Sequence, residues 1–309
     1  MKSEFLINEP NGFPQEAIER LRVIGAVYRA DLPYPENKIT AVFVRLREKI
    51  GPEFHMRHPA LRWIVSPTTG VDHLDLPYFE QAGVAVLCLR GRTAFLDHIH
   101  ATAEHTLALV LALIRNVPAA VQHVKDGHWN RYLFQGRELF GKTVLILGYG
   151  RIGRQVHALY SAFGCRVIAL DCIEESVPMQ LRCSTKDAFA QADILSIHVN
   201  LDLSTKGLVG EAMLDSLKPG SWLVNTSRGE IVDQIAVIKR VEDGRLAGAA
   251  LDVLDDEPQP LHDKDLQSAI RACGSRLIIT PHIAGFTLES LHQVENFVTD
   301  LLLREIKEN

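Results

Sequence analysis

The stretch from Thr143 to Cys172 constrains the fold more than any other part of the chain. It reads Thr-Val-Leu-Ile-Leu, then Gly148-Tyr149-Gly150-Arg151-Ile152-Gly153, a helix-length segment from Arg154 to Phe163, and Arg166-Val-Ile-Ala-Leu-Asp171. An apolar, β-branched run entering G-x-G-x-x-G, followed by a helical segment and a second apolar run that ends in an acid, is a complete βαβ unit. In such a unit Gly148 permits the tight turn, Gly150 lets a pyrophosphate approach the backbone, and Gly153 lets the helix sit close to the strand. The N–H groups of the helix's first turn then face the phosphate charge. Asp171 is placed to accept hydrogen bonds from ribose hydroxyls and would repel a 2′-phosphate, so the expected cofactor is NAD rather than NADP. Three glycines alone mark no more than a turn. Here the strand, the helix and an acid roughly 20 residues on all agree with a dinucleotide site.

At 309 residues the chain has room for two domains, each with its own core. Its 47% hydrophobic content, without low complexity or internal repeat, is that of a globular protein. A formal net charge of -5 offers no basic field for nucleic acid, and no Lys/Arg block suggests a membrane surface. The first residues lack the apolar core of a signal peptide, and the longest apolar run, Leu107 to Ile114, is too short to span a bilayer, so a cytoplasmic location is expected. Cys88, Cys165, Cys172, Cys183 and Cys273 are odd in number and include no C-x-x-C, which predicts mostly buried, reduced thiols and neither a disulfide framework nor a metal site. Cys172, beside Asp171, reads either as an oxidation-sensitive neighbour of the cofactor or as a small packing residue.

Along the chain, strands are expected at Glu4–Ile7, Thr40–Leu46, Leu61–Ser66 and Val84–Leu89, with a helix over 14–24. Pro67 to Asp75, rich in small residues, forms a turn with accessible backbone N–H groups. Residues 1–96 thus make a small α/β domain. An apolar helix starts at Thr102, Pro118 breaks it, and a second helix follows over 117–126. A helix apolar on more than one face needs a further surface to cover it, so the 102–126 region is expected to form a homodimer interface; a single-subunit mass in solution at micromolar concentration would refute this. After the fingerprint, strands at 193–199, 221–225, 247–253 and 276–280 alternate with helices, which predicts a doubly wound parallel sheet with ligands at the strands' carboxyl ends. Residues 97–286 form this dinucleotide domain. The amphipathic segment 287–309 returns to complete the first domain, with the substrate cleft expected between the two and hinges near 97–102 and 284–288.

Three strand-end loops carry candidate chemistry: Asn225-Thr226-Ser227-Arg228-Gly229-Glu230, Asp252 to Glu257-Pro258, and Thr280-Pro281-His282-Ile283-Ala284-Gly285. Hydride transfer at a carbinol carbon needs a group that moves the hydroxyl proton, a cation that holds and polarises the acid, and a group that orients the base. His282 suits the first task, because imidazole titrates nearest working pH. Arg228 suits the second as a rigid fork of donors, and Glu257, bonded to the other ring nitrogen, would fix the tautomer and favour the imidazolium. Taken singly, His282 could merely cap a turn, Glu257 could be one charge in an acidic loop, and Arg228 could pair with Glu230.

Taken in order, Gly148 to Gly153 with Asp171, Asn225-x-x-Arg228-Gly229, Asp252 to Glu257-Pro258 and Thr280-Pro-His282-x-Ala-Gly285 resemble the D-2-hydroxyacid dehydrogenase family. Thr69-Gly70-Val71-Asp72-x-x-Asp75 and Thr102-Ala103-Glu104-His105 extend the likeness to the family's substrate loop and hinge helix. The resemblance implies two Rossmann-like parallel α/β domains, the NAD-binding one inserted into a smaller flavodoxin-like substrate domain. It implies Arg228, Glu257 and His282 as catalytic residues, Arg151 and Ile152 at the pyrophosphate, Asp171 at the adenosine ribose, and Thr226 and Asp252 near the nicotinamide. Thr102, Val199 and Gly285 complete the implied cofactor set, and Thr69 and Gly70 meet substrate and cofactor through backbone groups. The partner is then a small 2-keto or 2-hydroxy acid.

Within the family, Val44-Arg45-Leu46-x-x-Lys49-Ile50 and Asp126-Gly127-x-Trp129-x-Arg131 resemble phosphoglycerate dehydrogenase, with Arg45 and Arg131 as candidate substrate contacts. Each arginine reads equally as a strand-end or loop cation. Leu89 to Ile99 is longer than the family's usual connection and brings Arg90, Arg92 and His98 near the expected substrate, as an anion contact or only as a hinge loop. Asn200 stands where proline is usual. The chain ends at Asn309 without the regulatory domain of longer phosphoglycerate dehydrogenases, so feedback control by an amino acid is not expected. The same scaffold also serves NADH-responsive corepressors, which leaves an NADH sensor or binding protein as the alternative function.

Overall fold

The computed structural model describes residues 3–257 and 261–308; Pro258, the last residue of the second candidate loop, lies outside the described residues. The chain divides into two compact units, one made of residues 1–99 with 286–309 and the other of 100–285.

The smaller unit is built on five parallel strands, β1 (Ser3–Ile7), β2 (Gly25–Arg29), β3 (Ala41–Phe43), β4 (Trp63–Val65) and β5 (Ala85–Leu87), in the order β2-β1-β3-β4-β5. That is the flavodoxin-type order expected. β1, β3 and β4 are central and nearly fully buried, as apolar strands covered on both faces must be. β2 was absent from the sequence expectation. It is an edge strand, half-buried along its length and ending in exposed Arg29, so it lacks the continuous apolar run that marked its neighbours. Helices α1 (Gln15–Arg22), α2 (Pro52–Arg57), α3 (Leu76–Gln81) and α4 (Thr93–Leu96) connect the strands.

The C-terminal helix, Leu288–Glu308, packs against α1, β4 and β5. It buries Leu291, Val294, Val298 and Leu302, spaced three or four apart on one stripe. Leu89, Leu96 and Ile99 join that same core, and Phe95 stacks on Phe297 with ring centroids 4.0 Å apart. The 89–99 segment is therefore pinned to the domain by apolar burial and an aromatic pair. Its root is also fixed, since Leu89 donates its N–H to Thr68 O at 3.1 Å. Arg90 and Arg92 stay exposed.

Below this edge, Arg45 does not point into solvent. Its Nε donates to Glu295 Oε1 at 2.7 Å and its Nη1 to Asn11 O at 2.8 Å, and the Glu295 side chain is 1% exposed. The arginine thus ties the end of β3 to the C-terminal helix and is not a solvated cation.

In the larger unit, α5 (Ala101–Ile114) and α6 (Val117–Lys125) precede a six-stranded parallel sheet. Its strands are β6 (Thr143–Leu147), β7 (Arg166–Leu170), β8 (Ile194–Ile197), β9 (Ser221–Asn225), β10 (Leu246–Leu251) and β11 (Leu277–Ile279), ordered β11-β10-β9-β8-β6-β7. Helices α7 (Arg151–Ala162), α8 (Thr185–Gln191), α9 (Glu211–Ser216), α10 (Gln234–Glu242) and α11 (Lys264–Cys273) link them. From β6 the chain goes outward to β7 and returns to β8 on β6's other side, so the strand order reverses at β6 and leaves a crevice at its carboxyl end. The fingerprint sits there.

α5 is covered within its own unit by α7, β9, β10 and β11. The uncovered apolar side chains lie beyond it, at Val117, Val121 and Val124 of α6 and at Trp129, Tyr132 and Leu133. Among the described residues no single helix is long and apolar enough to cross a membrane. All five cysteines are free, but only Cys273 is fully buried, and Cys172 is exposed rather than packed. Its thiol sits 3.6 Å from Asp171 Oδ1, because the chain leaves the sheet at that point.

Candidate active site

At the β6–α7 turn, Gly148 has φ +94°, and a Cβ there would lie 2.7 Å from the carbonyl of His198 at the end of β8. A Cβ on Gly153 would lie 2.1 Å from Gly148 O. Both positions are closed to any side chain, one by conformation and one by the approach of helix to turn. Gly150, by contrast, faces open space and caps α7 without a side chain, so the helix's first N–H groups are not claimed by a capping residue. Asp171, at the end of β7, accepts Tyr149 N–H at 2.7 Å and Ile173 N–H at 2.9 Å, which turns its carboxylate toward the fingerprint. An open glycine at a helix N-terminus, with a fixed acid beside it, fits a dinucleotide's pyrophosphate and ribose. Arg151 and Ile152 begin α7, and Val199 follows β8 on the far side of the same turn.

The three candidate loops leave adjacent strands, β9, β10 and β11. Asn225 holds the first of them by donating to Arg228 O at 2.8 Å and accepting Ser227 N–H at 3.0 Å. A Cβ on Gly229 would fall 2.0 Å from Leu254 C, so the Arg228–Gly229 turn lies directly on the backbone of the second loop. In that second loop Glu257 Oε1 accepts Leu254 N–H at 3.0 Å, and Oε2 lies 2.5 Å from His282 Nδ1. The structure therefore brings Glu257 and His282 into one hydrogen bond and sets the Arg228 turn against Glu257's own loop. His282 Nε2 is the ring nitrogen left for chemistry.

His282 has φ +53°, a left-handed backbone uncommon outside glycine. Its N–H donates to Asp252 O at 2.8 Å, while Asp252 Oδ1 and Oδ2 accept the N–H groups of Ile283 and Ala284 at 2.9 and 2.8 Å. Thr280 donates its hydroxyl to Asp252 Oδ1 at 2.5 Å. Burial pushes the Asp252 carboxyl up, but hydrogen bonds from His105, Thr280, Ile283 and Ala284 outweigh it and hold the group below the usual carboxylate range. Asp252 thus serves the His282 loop with most of its acceptor capacity. Thr226, buried, exchanges a hydrogen bond with Thr106 at 2.8 Å, and Thr102 and Gly285 approach each other at the start of α5.

Arg131 lies in a 3-10 turn, exposed, with its guanidinium 5.9 Å from the Tyr132 ring. In the smaller unit, Thr69 is exposed on the loop after β4, where Thr68 donates its hydroxyl to Gly70 O at 2.6 Å. Among the described residues, the Thr69 and Gly70 N–H groups have no acceptor. Sequence reasoning named His105 only within the hinge-helix motif and gave it no role at this site. Its Nε2 lies 3.2 Å from Thr280 Oγ1 and 3.4 Å from Asp252 Oδ1.

A parallel sheet with G-x-G-x-x-G at its switch point and an acid on the next strand defines a dinucleotide-binding domain. Residues 107–284 match the family described as D-isomer specific 2-hydroxyacid dehydrogenase, NAD binding domain. The chain is 32% identical to the D-3-phosphoglycerate dehydrogenase of Archaeoglobus fulgidus, over 98% of its own length and 57% of that relative. It is 31% identical to the glyoxylate reductase of Thermofilum pendens, over 86% of its own length and 78% of that relative. Its structure is similar to that of D-lactate dehydrogenase from Aquifex aeolicus complexed with NAD and lactic acid, with a TM-score of 0.81 and 26% identity, covering 99% of this chain and 96% of that one. The chain belongs to the D-isomer specific 2-hydroxyacid dehydrogenase family. It spans 57% and 51% of the length of the phosphoglycerate dehydrogenases of A. fulgidus and Bacillus subtilis, so it covers about half of such relatives. The expectations of the family, of NAD as cofactor and of two parallel-sheet domains are met.

Proposed function

We propose that this chain is an NAD-dependent oxidoreductase that interconverts a small D-2-hydroxy acid and its 2-keto acid. The observation that carries the reading is the 2.5 Å bond between His282 Nδ1 and Glu257 Oε2 at the carboxyl edge of a dinucleotide-binding sheet. When bound, NAD supplies or accepts the hydride; Gly148, Gly150, Arg151, Ile152 and Gly153 would hold its pyrophosphate and Asp171 its ribose. Arg228 holds the substrate carboxylate and polarises the 2-keto oxygen. In the reductive direction His282 Nε2 gives a proton to that oxygen, and in the oxidative direction it takes the proton back. Glu257 accepts from the proton-bearing Nδ1 and so fixes the ring's tautomer and aim.

The relatives act, by name, on phosphoglycerate, glyoxylate and lactate, and we propose a substrate among such acids. We also propose a homodimer joined through α6 and the exposed Trp129, Tyr132 and Leu133, an apolar surface of the kind that marks interfaces. The test is NADH oxidation at neutral pH against 3-phosphohydroxypyruvate, hydroxypyruvate, glyoxylate, pyruvate and phenylpyruvate, with NADPH as control. The expected outcome is turnover with NADH on at least one acid and far less with NADPH. Tight NADH binding without turnover on any acid would replace this reading with an NADH-responsive binding protein.

A further inference from the structure

We propose that His105 is a positioning residue for the catalytic histidine and acts through Asp252 and Thr280. The inference rests on the catalytic reading of His282. A left-handed backbone at a non-glycine residue persists only where its surroundings over-determine it. At His282 that work falls to Asp252, whose carbonyl takes the residue's own N–H and whose carboxylate takes the next two. The aim of the ring at Glu257 therefore depends on where the Asp252 carboxylate is held.

Asp252 is itself fixed from the α5 side. Thr280 spends its hydroxyl proton on Asp252 Oδ1, so its oxygen can only accept from His105, and the Nε2 facing it must carry a hydrogen. That same Nε2–H lies 3.4 Å from Asp252 Oδ1. One donor thus closes a three-membered cluster and brings α5 to the end of β10, whose carboxylate is completely buried. Without it, the buried carboxylate keeps Ile283, Ala284 and Thr280 as donors but loses the one that ties it to α5, and Thr280 loses its only donor in the cluster. Displacing a reacting group by about 1 Å can cost about a hundredfold in rate. His105 touches none of the reacting atoms and is not one of the proposed acid, base or cation residues.

The test compares the full-length protein with His105→Leu, which keeps bulk but not the donor, and with His105→Gln, whose amide restores an N–H. For His105→Leu the expected result is a kcat reduced about 10- to 100-fold, with KM for the keto acid and the NADH dissociation constant within about threefold. His105→Gln should regain most of the rate. A second readout needs no turnover: the far-downfield proton resonance of the His282 Nδ1–Glu257 bond, assigned by its loss in His282→Asn, should broaden or vanish in His105→Leu and return in His105→Gln. A failed keto-acid assay with that proton behaving as described would overturn the enzymatic reading and leave the positioning role standing. An unchanged kcat and resonance in His105→Leu, or a loss that follows melting temperature alone and that glutamine does not relieve, would overturn the positioning role.

Discussion

Replacing His282 by alanine is expected to lower turnover about 10²- to 10⁴-fold while NADH still binds, which is the range a positioned general acid–base contributes. The ring's Nδ1 is committed to Glu257 at 2.5 Å, which leaves Nε2 as the atom that gives and takes the proton. The substitution also meets a backbone at φ +53°, where alanine is strained. His282→Asn separates the two effects, because asparagine adopts the left-handed region readily and cannot shuttle a proton near neutral pH. Both variants should lose kcat alike and retain NADH affinity, measured by fluorescence titration beside steady-state rates. A His282→Asn protein with near-normal turnover would refute the acid–base assignment and attribute the alanine defect to the turn. Glu257→Gln should fall between wild type and these, since an amide oxygen still accepts from Nδ1–H but is a weaker acceptor than a carboxylate.

The β6–α7–β7 unit was legible because three independent local signals coincide within 30 residues: two β-branched apolar runs, glycines at fixed offsets, and an acid at the second strand's end. The six strands of the larger sheet were legible for a related reason, since its four central strands are apolar runs and the edge strands β7 and β11 carry apolar runs as well. β2 escaped notice because Gly25–Arg29 is half-buried along its length and lacks the longer apolar run of the other strands, and α2 to α4 escaped because helices of six residues or fewer hardly complete a period. In the site, His282 and Glu257 stood out by residue type and strand-end position. The left-handed turn at His282 did not, because nothing in Thr-Pro-His-Ile-Ala specifies φ. His105 was hidden by distance along the chain, 175 residues from Thr280, on a helix whose apolar spacing drew attention elsewhere. The insertion at 89–99 was visible as excess length, but its pinning by Phe95 on Phe297 depends on a helix some 200 residues downstream, and only packing reveals that.

The same distance concealed what Arg45 does, and removing it should have the largest effect on stability in the smaller unit. Arg45→Ala is expected to cost about 3–5 kcal/mol, the usual penalty for stripping one partner from a buried ion pair. Glu295 lies 250 residues away in sequence and is 1% exposed, with Arg45 donating to it and to Asn11 O. Burial pushes the Glu295 carboxyl up to about 7, against the downward pull of Arg45 and with a smaller upward push from the Glu9 charge. An acid whose folded pKa lies above the ordinary 4.5 stabilises the fold fully below that value and loses the contribution as pH rises through about 7. The Arg45→Ala defect should accordingly be small near pH 5, where Glu295 is protonated and needs no counter-charge, and large near pH 8. Glu295→Gln should flatten the pH dependence, and the double change Arg45→Met with Glu295→Leu should restore stability close to wild type, because an apolar pair of similar volume carries no desolvation cost. Urea denaturation at both pH values measures this. An equal loss at pH 5 and pH 8 would remove Glu295 from the explanation, and a raised substrate KM with unchanged denaturation would return Arg45 to the substrate.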